Sequence, residues 1–176
     1  MSAPRQKAES RDHDARVSGD PTAEANAIHS AVAARLSTDD IRYTRTRRLV
    51  VDALALARQP LTVDQIRKQT AVPLSSVYRT LAIFEHVELV HRFTSDNSEY
   101  AQYELAEELL GHHHHLACEN CGTMTDVTLP ETLEADLDRA LTFLAKQQRF
   151  ALASHRLDII GTCASCTNPD SGHALT

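Results

Sequence analysis

Four cysteines form two CxxC pairs, CENC and CASC, in the second half of the chain. The pairs are Cys118 with Cys121 and Cys163 with Cys166. Each CxxC turn can present two thiolates to one cation, and two such turns give the tetrahedral sulfur shell that suits Zn(II). The gap between the pairs is longer than the roughly 20 residues of a zinc ribbon, so the metal would join two segments across an intervening helix. We predict a structural zinc site, with a redox pair or chance spacing as the alternatives.

Four consecutive histidines, His112 to His115, stand shortly before the first cysteine pair. Successive side chains on a strand point to opposite faces, so His112 and His114 would face one side and His113 and His115 the other. This pattern predicts two imidazole pairs that belong to two different metal sites. The candidate partners of these pairs are His91, Glu104, Glu134 and His155. A solvated polar strand is the alternative.

Charge is distributed unequally along the chain. The net charge is −6, yet basic residues outnumber acidic ones between residues 35 and 95, and acidic residues predominate between 96 and 166. This distribution indicates that the first part faces a polyanion and that the second binds cations or a partner subunit. An unevenly charged solvated surface is the alternative.

The composition is that of a globular protein. Of the 176 residues, 42% are hydrophobic and 24% are charged, which excludes a fibrous or wholly disordered chain. The sequence has no apolar run of the roughly 18 to 20 residues that a membrane helix needs, and its N-terminus lacks the apolar core of a signal peptide. We expect a cytoplasmic protein with no membrane partner.

Helical periodicity in the first half begins after a polar segment. Residues 1–24 are predicted to be a disordered arm, and a first helix is expected from Ala25. A second helix should follow Thr44. Thr62 is expected to cap a short third helix, with Gln65 completing a capping box.

The next elements complete a helix-turn-helix with a wing. A fourth helix is expected to start at a capping serine, Ser75 or Ser76. Two extended segments, 88–93 and 100–105, then flank a polar turn. This order predicts a winged helix-turn-helix domain over residues 25–105.

The remaining sequence predicts a small α/β domain over residues 112–166, after a linker at 106–111 and before a flexible tail at 167–176. Its expected elements are strands at 112–117 and 123–128, a helix at 131–147 and a strand at 150–160. The predicted fold class is therefore α+β.

Polar side chains are concentrated where the winged-helix geometry would meet DNA. The second helix of a helix-turn-helix lies in the major groove, and on the predicted fourth helix the candidates are Ser75, Ser76, Tyr78 and Arg79. Arg42 precedes the second helix together with further arginines, where phosphate or minor-groove contact is expected. The alternative is an ordinary helical bundle with charged faces.

Four motifs, SSVYRTL, YEL, HHHHLACENCG and SHRLDIIGTCASC, occur in that order between about Asp40 and Cys166. Together they resemble the ferric uptake regulator family of bacterial metal-dependent repressors. The resemblance implies a homodimer with an N-terminal winged-helix domain and a C-terminal dimerisation domain, in which a regulatory metal favours binding to double-stranded operator DNA. An enzymatic activity and a small-molecule substrate are not expected.

The resemblance also implies roles for individual residues. The four cysteines correspond to the structural zinc site. Tyr78 and Arg79 correspond to the operator contacts of the recognition helix, and Arg42 to a basic residue in the minor groove. The regulatory site would comprise Glu104, His113 and His115, with His91 in place of an aspartate of the zinc-sensing members. A second site would comprise His112, His114, Glu134 and His155.

Departures from the family's pattern bear on the identity of the sensed metal, and Glu104 would replace a cysteine of the zinc-sensing members as His91 replaces their aspartate. Pro60 stands where iron and peroxide sensors of the family carry a histidine ligand. This favours the zinc-responsive branch, with Zn(II) preferred over Fe(II), and an iron-, manganese- or nickel-responsive regulator is the alternative. A zinc-dependent hydrolase is less favoured because the sequence lacks HExxH or a comparable spacing. The basic first half argues against a zinc-stabilised interaction module.

Overall fold

The computed structural model describes residues 21–57, 59–94 and 100–167. These residues form seven helices and two three-stranded sheets. The helices are α1 (Pro21–Ser37), α2 (Arg45–Leu56), α3 (Val63–Thr70), α4 (Leu74–His86), α5 (Glu107–Leu110), α6 (Glu131–Gln147) and α7 (Ala164–Thr167). The strands are β1 (Leu61–Thr62), β2 (Val90–Phe93), β3 (Gln102–Leu105), β4 (His114–Cys118), β5 (Met124–Val127) and β6 (Asp158–Gly161).

Side-chain caps define the starts of α2 and α3. The Thr44 hydroxyl accepts a hydrogen bond from the Arg47 backbone N–H. Thr62 and Gln65 form the predicted capping box, which satisfies backbone donors that a helix start leaves unpaired. Helix α3 ends at Ala71, whose φ of 54° is left-handed.

Helix α4 begins differently from the prediction. Its N-cap is Pro73, and no side chain caps it, so the expected serine cap at Ser75 or Ser76 is wrong. The Pro73 carbonyl accepts from the backbone N–H groups of Ser76 and Val77, and the fixed φ of proline already suits a helix start.

The first sheet has the strand order β1-β3-β2, and all its pairs are antiparallel. It packs with α1 to α4 around an apolar core that includes Val32, Val51, Leu81 and Phe84. This arrangement confirms the winged-helix architecture. Most of the predicted polar turn of the wing, residues 95–99, lies outside the described residues.

The second sheet has the order β5-β4-β6, in which β4 pairs antiparallel with β5 and parallel with β6. Helix α6 provides the crossover that a parallel pair requires. The predicted strand at 150–160 is wrong over 150–157, because β6 pairs with β4 only from Asp158 to Gly161. The α+β fold class is confirmed.

Two predicted boundaries differ in the structure. Helix α1 begins at Pro21, four residues before the predicted start at Ala25, and the predicted linker contains the short helix α5. The rest of the arm, residues 1–20, and residues 168–176 of the tail lie outside the described residues. Across the described ranges, none of the helices is long and apolar enough to cross a membrane.

Candidate metal centres and DNA-contact surface

The four cysteines converge at one end of the second sheet. Cys118 ends β4, Cys121 lies in the turn that follows, Cys163 comes after β6, and Cys166 lies in α7. Their sulfurs all lie within 4.8 Å of one another. The 3.7 Å between the Cys121 and Cys163 sulfurs is close to the edge of about 3.8 Å expected for thiolates around tetrahedral zinc, and far longer than a disulfide of about 2.05 Å.

Local contacts shift the pKa values of individual cysteines in opposite directions. Backbone N–H groups of Cys163 and Cys121 lower the pKa of Cys118 to about 6. Contacts with the Cys163 and Cys121 sulfurs raise the pKa of Cys166 to about 12. A hydrogen bond with Thr123 also lowers the pKa of Cys121. Thiolates therefore form readily at Cys118 and Cys121, while a further negative charge at Cys166 is opposed. A soft divalent cation relieves that opposition, so this donor set fits Zn(II).

A second group lies between the two sheets and consists of Glu104, His113, His115 and Asp126. His113 Nε2 donates to Glu104 Oε1 at 2.6 Å, and His115 Nε2 donates to Glu104 Oε2 at 3.0 Å. Asp126 Oδ1 lies 3.9 Å from His115 Nε2. We call this group the interdomain cluster, since Glu104 comes from the first sheet and the other residues from the second or the segment leading into it.

Burial and charge oppose each other in the interdomain cluster. Burial would raise the pKa of Glu104, but hydrogen bonds from His113 and His115 outweigh it and lower that pKa to about 2. The hydrogen bond to Glu104 raises the pKa of His113 to about 9 against the effect of burial. Desolvation lowers the pKa of His115, yet hydrogen bonds to Glu104 and Asp158 give a net rise. The imidazole protons thus balance the carboxylate charges, and a cation bound by these groups would replace the protons.

Further acceptors fix the imidazoles of the interdomain cluster. His115 Nδ1 lies 3.1 Å from Asp158 Oδ1, and His113 Nδ1 lies 2.9 Å from the Gly111 carbonyl. Phe93 contacts the His115 ring edge-on at a centroid distance of 5.1 Å. With the Nδ1 atoms held, the Nε2 atoms face Glu104, which is the arrangement that orients histidine ligands in metal sites.

The fourth member of this cluster differs from the one predicted. His91 lies directly opposite Glu104 in the sheet, but its side chain is exposed and it is not grouped with these ligands. Asp126 takes that place. Strand β5 pairs with β4 so that Asp126 lies opposite His115, and pairing the two predicted strands as a hairpin is the signal that could have found it.

The third group comprises His112, His114, Glu134 and His155, and we call it the α6 cluster because Glu134 belongs to α6. Glu134 accepts from His114 Nε2 at 2.9 Å and from His112 Nε2 at 3.0 Å. The His155 Nε2 atom lies 3.2 Å from Glu134 Oε1. The contact of His155 with Glu134 lacks hydrogen-bond geometry, and His114 Nδ1 is buried without a hydrogen-bond partner among the described residues, which fits a cation at this position.

Sequence reasoning missed one acidic neighbour of the α6 cluster. Glu107, in α5, accepts a hydrogen bond from His112 Nδ1. This contact raises the pKa of His112, although burial partly opposes it. Glu107 was missed because it lies in the predicted linker, where no element was expected to hold it near the histidines.

Most of the predicted DNA contacts are exposed on the first domain. Tyr78 has 54% of its surface exposed, Arg79 and Ser75 are also exposed, and Ser76 is half-buried. Val77, Leu81 and Phe84 bury the opposite face of α4. Arg42 is exposed in the segment that leads into α2. Such a surface can place hydroxyl and guanidinium groups against bases and phosphates.

Comparison with known proteins agrees with this architecture. The model of the ferric uptake regulator family matches residues 38–160. The ferric uptake regulation protein of Campylobacter jejuni is 29% identical over 135 residues, which cover 73% of this chain and 81% of that protein. The peroxide operon regulator of Bacillus subtilis is 27% identical over 142 residues, covering 77% and 91%.

Solved structures show the same fold. The ferric uptake regulator of Helicobacter pylori superposes with a TM-score of 0.64 at 21% identity, covering 81% of this chain and 93% of that one. A zinc-bound manganese uptake regulator superposes with a TM-score of 0.54 at 26% identity, covering 77% and 98%.

Proposed function

The chain belongs to the ferric uptake regulator family of metal-responsive transcription regulators, and on that premise we propose that it is a zinc-responsive repressor that binds operator DNA as a homodimer. In this proposal the four cysteines hold structural zinc, the interdomain cluster senses the regulatory metal, and the α6 cluster is a second metal site. Because the proposed ligand is operator DNA, we propose that the protein acts in the cytoplasm.

The interdomain cluster is the observation that carries the proposal. Glu104 belongs to the wing strand β3, whereas His115 and Asp126 belong to the second sheet. A cation bound by all of them would fix the wing, and with it the recognition helix α4, relative to the second domain. Metal can favour the DNA-binding arrangement only through its higher affinity for that arrangement, and a site shared between domains provides such a difference.

Zinc is proposed as the sensed metal on chemical grounds. Two imidazoles and two carboxylates accept Zn(II), Fe(II) and Mn(II), but the affinity of such sites for Zn(II) exceeds that for Fe(II) and Mn(II) in the divalent series. The zinc-bound manganese uptake regulator supports zinc binding within a related fold. If Fe(II), Mn(II) or Ni(II) activates DNA binding at a lower free concentration than Zn(II) does, that metal is the sensed one and the zinc assignment is wrong.

The homodimer is proposed from the surface of the second domain. Helix α6 buries none of its side chains, and β6 is exposed along its whole length. Exposed apolar residues on these two elements include Phe143, Leu144 and Ile160. Large exposed apolar side chains in a small domain can mark an interaction site, and we assign them to dimerisation of a domain that spans residues 112–166, after the winged-helix domain at 25–105 and a linker at 106–111.

The decisive experiment measures DNA binding by fluorescence anisotropy while free metal is buffered. The probe is the DNA upstream of the chain's own gene, and an unrelated duplex of equal length is the control. Zinc should raise affinity for the first duplex only. The double variant His113→Ala, His115→Ala should lose this response, while the matched variant His112→Ala, His114→Ala should retain it with a shifted midpoint. Equal titrations for both variants would contradict the assignment of the sensing site.

A further inference from the structure

A hydrogen-bonded chain outside the metal sites links helices α1 and α2 through the segment that carries Arg42. His29 of α1 lies between two partners, with its side chain only 12% exposed. Its Nδ1 lies 2.6 Å from the Tyr43 hydroxyl oxygen, and its Nε2 lies 2.8 Å from Asp52 Oδ1. None of these three residues belongs to the metal clusters described above.

The chemistry of the three groups fixes the direction of the hydrogen bonds. The Asp52 carboxylate can only accept, so His29 Nε2 is the donor to it. Burial raises the pKa of Tyr43 to about 12, although Arg48 opposes the rise. The phenol therefore keeps its proton and can donate it to His29 Nδ1. Asp52 thus orients His29, and His29 orients the Tyr43 ring.

The segment around Arg42 is held on both sides. After α1 the chain reverses through Asp40, whose φ of 56° is left-handed, and the Ile41 N–H donates to the Leu36 carbonyl at 2.9 Å. This pattern is a helix-ending motif that fixes the exit of the chain. A hydrogen bond from the Arg47 guanidinium to the Arg42 carbonyl holds the next peptide.

Tyr43 provides the third restraint, and it is the one with a specific partner. Its ring packs against the apolar core, and the Arg48 guanidinium lies 5.2 Å from the ring centroid. Arg42, between half-buried Ile41 and Tyr43, is exposed. Fixing the two neighbours leaves the Arg42 side chain directed away from the core.

We propose that His29, oriented by Asp52, is a positioning residue for DNA binding that holds the Tyr43 hydroxyl and thereby directs Arg42 toward the DNA. The inference rests on the proposed function, in which Arg42 contacts the operator. A rigid segment presents the guanidinium without the entropy loss that a mobile segment would incur on binding.

The test is a double-mutant cycle on operator affinity at saturating zinc. Tyr43→Phe removes the hydroxyl but keeps the ring and its packing, so the fold is retained. We expect this variant to bind the operator about threefold to tenfold more weakly, which is roughly the cost of ordering one loosened side chain on binding. In an Arg42→Ala background the same change should have no further effect, because coupled residues are not additive.

Two variants that each remove one acidic side chain are expected to change operator affinity in opposite directions. Removing an acidic side chain near DNA strengthens binding on electrostatic grounds alone. The exposed Asp39, next to the same segment, serves as control, and Asp39→Ala should bind as tightly as the unaltered chain or more tightly. Asp52→Ala should bind more weakly despite the same change in charge. The dimer and the zinc midpoint should be unchanged in Tyr43→Phe.

The outcomes separate the inference from its premise. Equal losses from Tyr43→Phe with and without Arg42, or tighter binding by Asp52→Ala, would overturn the positioning role while leaving the repressor proposal intact. An Arg42→Ala variant that binds like the unaltered chain would overturn it too. Absence of zinc-dependent operator binding by the unaltered chain would refute the proposed function itself, and the inference with it.

Discussion

The interiors of the two domains contain different kinds of buried side chain. Helices α1 to α4 and the first sheet bury a continuous set of aliphatic and aromatic residues, whereas the buried apolar residues among the described part of the second domain are Cys118 and Met124. In the second domain His114 and His115 are buried instead, and Leu133, Phe143 and Leu144 of α6 are exposed. The first domain therefore has its own hydrocarbon core, and we expect the second to depend on bound metal and on a partner surface for its stability.

This difference predicts which perturbation each domain withstands. Burial of apolar area stabilises a fold without any cofactor. A cluster of thiolates or imidazoles stabilises it only when a cation balances the cost of bringing these groups together. Metal removal and core mutation should consequently affect opposite halves of the chain.

The largest effect is expected from loss of one thiolate, in Cys118→Ser. Structural zinc sites contribute on the order of 10 kcal/mol to folding, so the second domain should unfold. Hydrogen exchange measured by mass spectrometry should show lost protection in β4 and β5 and retained protection in α2 and α4. Uniform protection throughout the chain, with a melting temperature like that of the unaltered protein, would contradict a structural role for the cysteines.

The reciprocal change is Phe84→Ala in the core of the first domain. Truncation of this fully buried ring should cost about 3 to 5 kcal/mol because it leaves a cavity. Chemical denaturation should show the loss in the first domain, while zinc content stays at the value of the unaltered chain. If zinc is lost in parallel, the two domains do not fold independently, and the comparison between them fails.

An intermediate effect is expected on the exposed surface of α6. Leu144 is 53% exposed, and a charge there should oppose burial against a second copy. We expect Leu144→Glu to weaken dimerisation by about 2 kcal/mol or more, as at the centre of an interface. Sedimentation velocity measures the dimer, and Lys146→Glu on the same helix is the matched control. A dimer unaffected by Leu144→Glu would place the interface elsewhere.

The smallest effect is expected from Arg79→Ala on α4. Loss of one base or phosphate contact should weaken operator binding by about 1 to 3 kcal/mol and reduce its dependence on salt. The exposed Arg67 of α3, paired with Asp64, offers a control of equal charge. Binding by Arg67→Ala that falls as far as that of Arg79→Ala would mean that net charge, and not the recognition helix, determines affinity.

Periodicity in the sequence predicted most of the elements and part of the clusters. The spacing of apolar residues found α1 and α2, and the capping box at Thr62 that predicted α3 is present. Alternation along one strand was enough to group His112 with His114 and His113 with His115, as the structure does. Metal binding by these groups remains a prediction.

The features that the sequence did not predict depend on long-range strand pairing or on backbone geometry. Asp126 joins the interdomain cluster only because β5 pairs with β4 in one register, which single-strand periodicity does not specify. The unpaired segment 150–157 has no local signal that distinguishes it from a strand, because the length of β6 is set by its partner. At α4, the Pro73 carbonyl replaced the serine cap that propensity favours.

The alternation of the histidines also constrains how the gene can change. Because His112 and His114 serve one cluster while His113 and His115 serve the other, a one-residue slip of this segment exchanges the two faces. Deleting a single codon among the four would leave three histidines and would move the segment before the deletion to the opposite face. Point substitutions can therefore tune either cluster separately, whereas an in-frame deletion or insertion of one codon alters both together. The histidine segment can therefore evolve gradually by substitution, but a change in its length disrupts both clusters at once.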